Sequence, residues 1–280
     1  MKNIGLHKKL ILLAVSIFVS MPVTGFPGRT LDVVYQPMPR PLELEEMIKQ
    51  KFPNSFGVLT EGGYNWDLQF GGFYPVGWSP KGLFAYYVEP VDEACGCYLA
   101  EFVIHDLVTD RVLWSKAYQD EMGTIETVWK KDKTLFNEKL KKYGIEYEDT
   151  PLLRTFPIVS DLETLSVNTI IESKKNYGIR RIAVEVISSL HGKKIVSDQT
   201  FEKFGHIFGA NVIGFLESPY EPRIAMLSAG LYQGYHTGPP TIRWEVIGVS
   251  LTQGFPLREM GVEGVWREML SVMRGKDAVG

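Results

Sequence analysis

Several absences narrow the classes to which this chain of 280 residues can belong. It has only two cysteines, too few to close a structural zinc site on their own. Its formal net charge of −3 lacks the strongly basic footprint of a nucleic-acid-binding protein. It also contains no G-x-S-x-G, H-E-x-x-H, P-loop or dinucleotide-binding motif, so the sequence argues against these enzyme classes and predicts no cofactor and no metal.

The N-terminus has the layout of a secretory signal peptide. Three lysines precede the apolar stretch Leu10–Val19, and the small-residue segment Val23–Gly25 comes just before Phe26. The full apolar run, Leu10–Val23, is about fourteen residues long, shorter than the roughly twenty that a membrane-spanning helix needs. We therefore predict a cleaved signal over residues 1–25, no transmembrane span in the mature chain, and a periplasmic or extracellular location.

The segment 76–114 reads as an antiparallel meander. Ser79–Gly82 matches a type I turn, with serine first, proline second and glycine fourth. Leu83–Val88 is apolar on both alternating sets, which is typical of a central strand covered on both faces. Tyr98–Leu107 alternates instead, and this pattern predicts a half-exposed strand with His105 on its solvent face.

One long helix is predicted over Thr124–Tyr143. Its apolar residues recur at helical spacing, Thr124 can cap its start, and Gly144 is placed to end it. Shorter helices are expected at 42–52 and 262–273. We therefore predict a mainly β (β-rich α+β) fold with antiparallel meander sheets.

The mature chain, residues 26–280, is expected to form a single domain, with two sheet halves at about 55–145 and 158–252. The linker 146–157, which contains two prolines, separates these halves. The halves share a short internal repeat, since Val76–Pro80 and Ile213–Pro219 each combine glycine, an aromatic residue and a Ser-Pro turn before an apolar strand.

The segment 77–86, reading GWSPKGLFAY, resembles the blade motif of TolB-like and WD40-like propellers. The segment 104–113, reading IHDLVTDRVL, is similar to the turn between the last two strands of such a blade. The resemblance implies blade-like units, without the four or more blades of a complete propeller. Over a longer span the chain is similar to a family of predicted secreted bacterial proteins. The shared features are the signal peptide, the blade-like start, the LKKYGI segment at 140–145 and the C-terminal Ser-Pro unit. Similarity to that family implies no activity.

Cys95 and Cys97 lie in a chain that is predicted to leave the reducing cytosol. They could form a local disulfide, remain free or crosslink two chains. Asp92, Glu93 and His105 lie nearby in the sequence. Cysteine thiolates together with a histidine imidazole can bind a soft metal ion, and a strained disulfide can take part in redox chemistry. Of these interpretations, we predict the local disulfide between Cys95 and Cys97.

The acidic connection after Val88 carries Glu89, Asp92 and Glu93, which with His105 are the candidate catalytic residues. Paired carboxylates could serve an extracytoplasmic hydrolase. The competing interpretation is a solvated hairpin loop. A hydrolase would gather these side chains into one concave pocket.

A glycine-rich and proline-rich loop near residue 235 presents Tyr232, Tyr235 and His236. Tyrosine offers a wide contact area and a hydroxyl at low entropic cost, so such loops suit recognition. The competing interpretation is a long hairpin connection that covers a sheet edge. The sequence thus predicts an exported, non-catalytic binding or envelope-associated protein with a protein or glycan ligand; a hydrolase or a cysteine-dependent metal or redox protein is the alternative.

Overall fold

The computed structural model describes residues 36–55, 58–59, 65–66, 68–91, 97–120, 123–174, 178–201, 207–233 and 239–256. The described residues belong to one compact unit. The predicted signal peptide at 1–25 and the helix expected at 262–273 lie outside them. None of the helices in these ranges is both long and apolar enough to cross a membrane.

The described residues form two α-helices, one 3-10 turn and fourteen strands. The helices are α1, Glu45–Lys51, and α2, Ile125–Tyr143, and the 3-10 turn is Pro53–Ser55. The strands are β1 (Val58–Leu59), β2 (Asn65–Trp66), β3 (Phe73–Trp78), β4 (Leu83–Val88), β5 (Tyr98–Asp106), β6 (Arg111–Asp120), β7 (Glu146–Tyr147), β8 (Ile158–Val159), β9 (Thr164–Lys174), β10 (Gly178–Ser188), β11 (Gly192–Thr200), β12 (Ile207–Glu217), β13 (Arg223–Tyr232) and β14 (Thr241–Ser250).

The strands pair into three larger antiparallel sheets and one small one. Sheet I has the order β6-β5-β4-β3-β7, sheet II the order β12-β13-β14, and sheet III the order β11-β10-β9-β8, while β1 pairs with β2. Apart from β7, which pairs with β3, sequential strands are neighbours, so each larger sheet is built on a meander. This confirms the predicted mainly β, antiparallel fold; the described sheets do not close into a barrel or propeller.

Helix α2 covers one face of sheet I. Phe136 of α2 is fully buried and stacks on Phe102 of β5 with ring centroids 4.6 Å apart. Thr124 caps the helix, since its Oγ1 accepts a hydrogen bond from Thr127 N, and Gly144 ends it with a left-handed φ of 65°. The predicted helix and both of its end signals are therefore confirmed.

Sheet II lies between the other two sheets. On one side, Ala225 and Leu227 of β13 share a core with Phe84 and Val103 of sheet I. On its other side, Met226 shares a core with residues of sheet III. The layers thus run α2, sheet I, sheet II, sheet III, and alternating residues of β13 serve two different cores.

The two copies of the internal repeat form similar hairpins, with turns that differ in length by one residue. β3 and β12 each contain a bulge just before the Ser-Pro turn, at 75–77 and 212–214. After each bulge the serine N–H bonds back across the turn, from Ser79 to the carbonyl of Leu83 and from Ser218 to that of Arg223, both at 2.9 Å. The repeat therefore marks two equivalent hairpins, one in sheet I and one in sheet II.

Candidate functional site

Glu89 lies just after β4, where two tyrosine hydroxyls hold its carboxylate. Tyr74 donates to Oε2 at 2.6 Å and Tyr98 donates to Oε1 at 2.7 Å. The hydroxyl of Tyr87 lies 3.1 Å from that of Tyr98, and burial raises the pKa of Tyr87 to about 12. These three tyrosines belong to sheet I and lie on its α2 side. Their hydrogen bonds to Glu89 therefore anchor the start of the β4–β5 connection to that side.

Glu89 and His105 are not brought together. Val88, the neighbour of Glu89, pairs with Glu101, whereas His105 pairs with Phe84. Glu101 and His105 are four residues apart on β5, which corresponds to about 13 Å of extended strand. The other two predicted carboxylates, Asp92 and Glu93, lie outside the described residues. The predicted catalytic set therefore forms no acid/base site within the described part of the chain.

His105 is buried rather than exposed, so the prediction that it lies on a solvent face is wrong. Its exposed fraction is 6 %, and its ring lies 6.4 Å from that of Tyr86. The reason is that sheet II packs on this face of sheet I, where Val103 and Tyr86 belong to the shared core. The Nε2 atom lies 3.2 Å from Oδ1 of Asp110.

The described ranges include one of the two cysteines. Cys97 is half-buried, and its Sγ accepts a long hydrogen bond from Gln119 Nε2 at 3.8 Å. Cys95 lies outside the described residues, so the local disulfide stays a prediction. Within the described ranges there is no free cysteine and no group of three or more histidine, cysteine or acidic side chains that could hold a metal ion.

Tyr232 ends β13, while Tyr235 and His236 lie outside the described residues. The ring of Tyr232 is half-buried, and the guanidinium of Arg243 on β14 lies over it at 4.6 Å. Burial raises the pKa of Tyr232. This contact fixes the strand ends on both sides of the predicted recognition loop.

A cleft of about 410 Å³ lies between the start of the β4–β5 connection and the first residues of β14. We call it the end cleft, and its lining residues are Pro90, Val91, Leu99, Thr241, Ile242 and Arg243. Pro90 and Val91 follow the anchored Glu89, and Thr241–Arg243 begin β14. The start of the β4–β5 connection and the start of β14 therefore border one cleft.

The wall of the end cleft on β14 is held by backbone contacts. Gln69 N donates to Pro240 O, and Ile242 N donates to Gln69 O, both at 2.9 Å. Trp244 Nε1 donates to Gly71 O at 3.0 Å. Glu89 N in turn donates to Gly72 O at 2.9 Å, so the segment 69–72 ties both walls together.

The end cleft can hold an apolar group next to a positive charge. Its size lies within the range of small-ligand sites, and most of its lining side chains are apolar, with Arg243 supplying the charge. Leu99 and Arg243 were not predicted as site residues. Each belongs to a strand whose apolar and polar side chains alternate regularly. That alternation does not show that two different sheets meet at the end cleft.

Comparisons with protein-family models, with curated proteins and with solved structures find no match to this chain, so its function is inferred from the site geometry.

Proposed function

We propose that the chain is an exported, non-catalytic binding protein whose ligand docks in the end cleft. The observation that carries this proposal is that Pro90 and Val91, which follow β4, line the same cleft as the first residues of β14. Binding sites commonly lie on connections that a rigid scaffold positions.

The walls of the cleft are held in place without a ligand. The carboxylate of Glu89 is occupied by Tyr74 and Tyr98 and serves to position Pro90 and Val91. A site whose walls are already ordered loses less conformational entropy on binding. Because Glu89 serves to position the start of the β4–β5 connection, its role supports ligand binding by this connection and not hydrolysis.

The lining favours a peptide over a glycan as the ligand. Pro90, Val91, Leu99 and Ile242 present apolar surface, whereas a glycan is held chiefly through hydrogen bonds to its hydroxyls. The guanidinium of Arg243 suits a nearby negative charge. Anilinonaphthalene sulfonate, which combines an apolar ring system with one negative charge, is therefore a suitable probe.

The Leu99→Asp variant should bind anilinonaphthalene sulfonate about tenfold more weakly than the unchanged protein, a difference of about 1.4 kcal/mol. A carboxylate in the cleft repels the sulfonate and removes apolar contact area. Fluorescence titration of the purified mature protein measures the change.

Leu113→Asp is the matched control, because Leu113 is 42 % exposed on β6 and is not a lining residue of the cleft. Its titration curve should match that of the unchanged protein. Equal weakening in both variants, or a titration that does not saturate, would count against the end cleft as the binding site.

Export and the local disulfide belong to the same proposal. A disulfide between Cys95 and Cys97 is supported by the absence of free thiols in the described ranges, and export provides the oxidising compartment in which it persists. It would close the β4–β5 connection beside the cleft wall at Pro90 and Val91.

Mass spectrometry of the exported protein after alkylation without reduction tests both statements. We expect a mature chain that begins near Phe26 and carries no alkyl group on either cysteine, and two alkyl groups once the protein has been reduced. An intact N-terminus would refute the cleaved signal. Alkylation before reduction would refute the disulfide.

A further inference from the structure

The outer face of helix α2 carries four exposed lysines. Lys130 and Lys131 form one pair, and Lys141 and Lys142 form the other. The two pairs are about three helical turns apart, so they lie on the same side of the helix and are separated by about 16 Å along its axis. The buried residues of α2 lie on the opposite side, against sheet I. We call Lys130, Lys131, Lys141 and Lys142 the lysine face.

Neighbouring side chains do not neutralise the lysine face. None of its four lysines forms a salt bridge within the part of the chain that the structure describes. Two lysines beside the face do have partners, since Lys116 of β6 pairs with Asp132 at 2.6 Å and Lys139 lies over the ring of Trp114 at 5.1 Å. The positive charge of the lysine face is therefore directed to the outside of the molecule.

The charge of the lysine face differs in sign from that of the whole chain, whose formal net charge is −3. Helix α2 has three acidic residues. Asp132 is engaged by Lys116, Glu126 lies in the first turn, and Glu138 lies between the two lysine pairs. An excess of positive charge remains on this side. Like charges held together repel one another, so an anionic partner would stabilise the arrangement.

The lysine face lies on the outermost layer of the described structure. Helix α2 covers one face of sheet I, whereas sheets II and III lie on the other side of that sheet. No described strand or helix packs on the outer side of α2, where all four lysines are exposed. The face is therefore an open surface that a large partner can approach.

The composition of this surface favours an anionic membrane over a nucleic acid. The aromatic residues of α2, which are Trp129, Phe136 and Tyr143, pack toward sheet I, so the lysine face offers no ring on which a base could stack. A lysine ammonium acts as a point charge, without the forked geometry that recognises one particular phosphate. Near an anionic membrane surface, each such lysine strengthens binding by about fivefold.

We propose that the lysine face docks on the anionic headgroups of a phospholipid membrane. Sheet I occupies the apolar side of α2, so the helix lies on the headgroups and does not enter the hydrocarbon layer. Ala100 and Phe102 pack beneath α2, which places Leu99 of the end cleft on the opposite face of β5. Docking through α2 therefore does not cover Leu99, and it does not depend on ligand binding in the end cleft.

Cosedimentation of the mature protein with vesicles of phosphatidylglycerol and phosphatidylcholine in equal parts tests the proposal. The Lys130→Gln/Lys141→Gln variant should bind about 25-fold more weakly than the unchanged protein, since two lysines are lost. Lys51→Gln/Lys193→Gln removes the same charge from exposed positions on α1 and β11 and should leave binding unchanged. Glu138→Lys should strengthen binding by about fivefold or more, because it adds a lysine to the face and removes its central acid.

Binding should also disappear at high salt and with vesicles of phosphatidylcholine alone, because the attraction is electrostatic. Equal weakening in the two double variants would overturn the proposal, as would equal binding to both kinds of vesicle or no binding to either. Binding to heparin that depends on Lys130 and Lys141, without binding to vesicles, would refute the membrane and identify a soluble anionic polymer as the partner.

Discussion

The Phe136→Ala variant should lose about 3–5 kcal/mol of unfolding free energy. Phe136 is fully buried, and its ring lies 4.6 Å from that of Phe102 and 4.9 Å from that of Trp129. Its removal leaves a cavity at the centre of the contact between α2 and sheet I, where the surrounding rings cannot collapse without leaving their own contacts. Equilibrium denaturation in urea measures the loss.

Phe208→Ala provides the matched control, since it removes the same atoms from a side chain that is 58 % exposed on β12. A surface substitution of this kind should change the unfolding free energy by no more than about 0.5 kcal/mol. Similar losses in the two variants would show that α2 does not pack on sheet I as described.

The Gly248→Ala variant should lose about 1–3 kcal/mol of unfolding free energy. A Cβ atom at this position would lie 2.1 Å from the carbonyl oxygen of Leu107, which is backbone and cannot move aside alone. The β5–β6 turn would have to shift, and the hydrogen bond from Gly248 N to Asp110 would break with it. Thermal unfolding of the purified variant measures the loss.

Gly209→Ala is the control, because the nearest atom to its added Cβ is Cε1 of Phe52 at 4.0 Å, an ordinary contact distance. Alanine there should leave stability unchanged or slightly higher, since it restricts the unfolded chain. If Gly248→Ala unfolds at the same temperature as Gly209→Ala, the close packing of the turn on β14 is contradicted.

The local structure of this protein could be predicted well because its causes are local. The Ser79–Gly82 turn closes as expected, with Gly82 N bonded to Ser79 O at 3.1 Å. Thr124 and Gly144 begin and end α2 through their own hydrogen-bonding and backbone preferences. The segment predicted as a strand at Tyr98–Leu107 is likewise present as β5, Tyr98–Asp106.

Alternation alone does not say what covers each face of a strand. His105 and Glu101 occupy the polar face of β5, which the pattern assigned to solvent, but sheet II packs there and buries His105. A polar residue on a covered face differs from an exposed one only in its neighbours, and those neighbours come from residues more than a hundred positions away in the chain.

The sequence by itself determined that the chain forms antiparallel meanders and where its long helix begins and ends. Turn chemistry, capping and side-chain periodicity act over a few residues, so they can be read directly. The tertiary structure alone decided that Glu89 is anchored by tyrosines, that Leu99 and Arg243 line one cleft, and that His105 is buried beside Asp110. Each of these depends on how separate sheets stack, and that is set by the summed burial of all their faces.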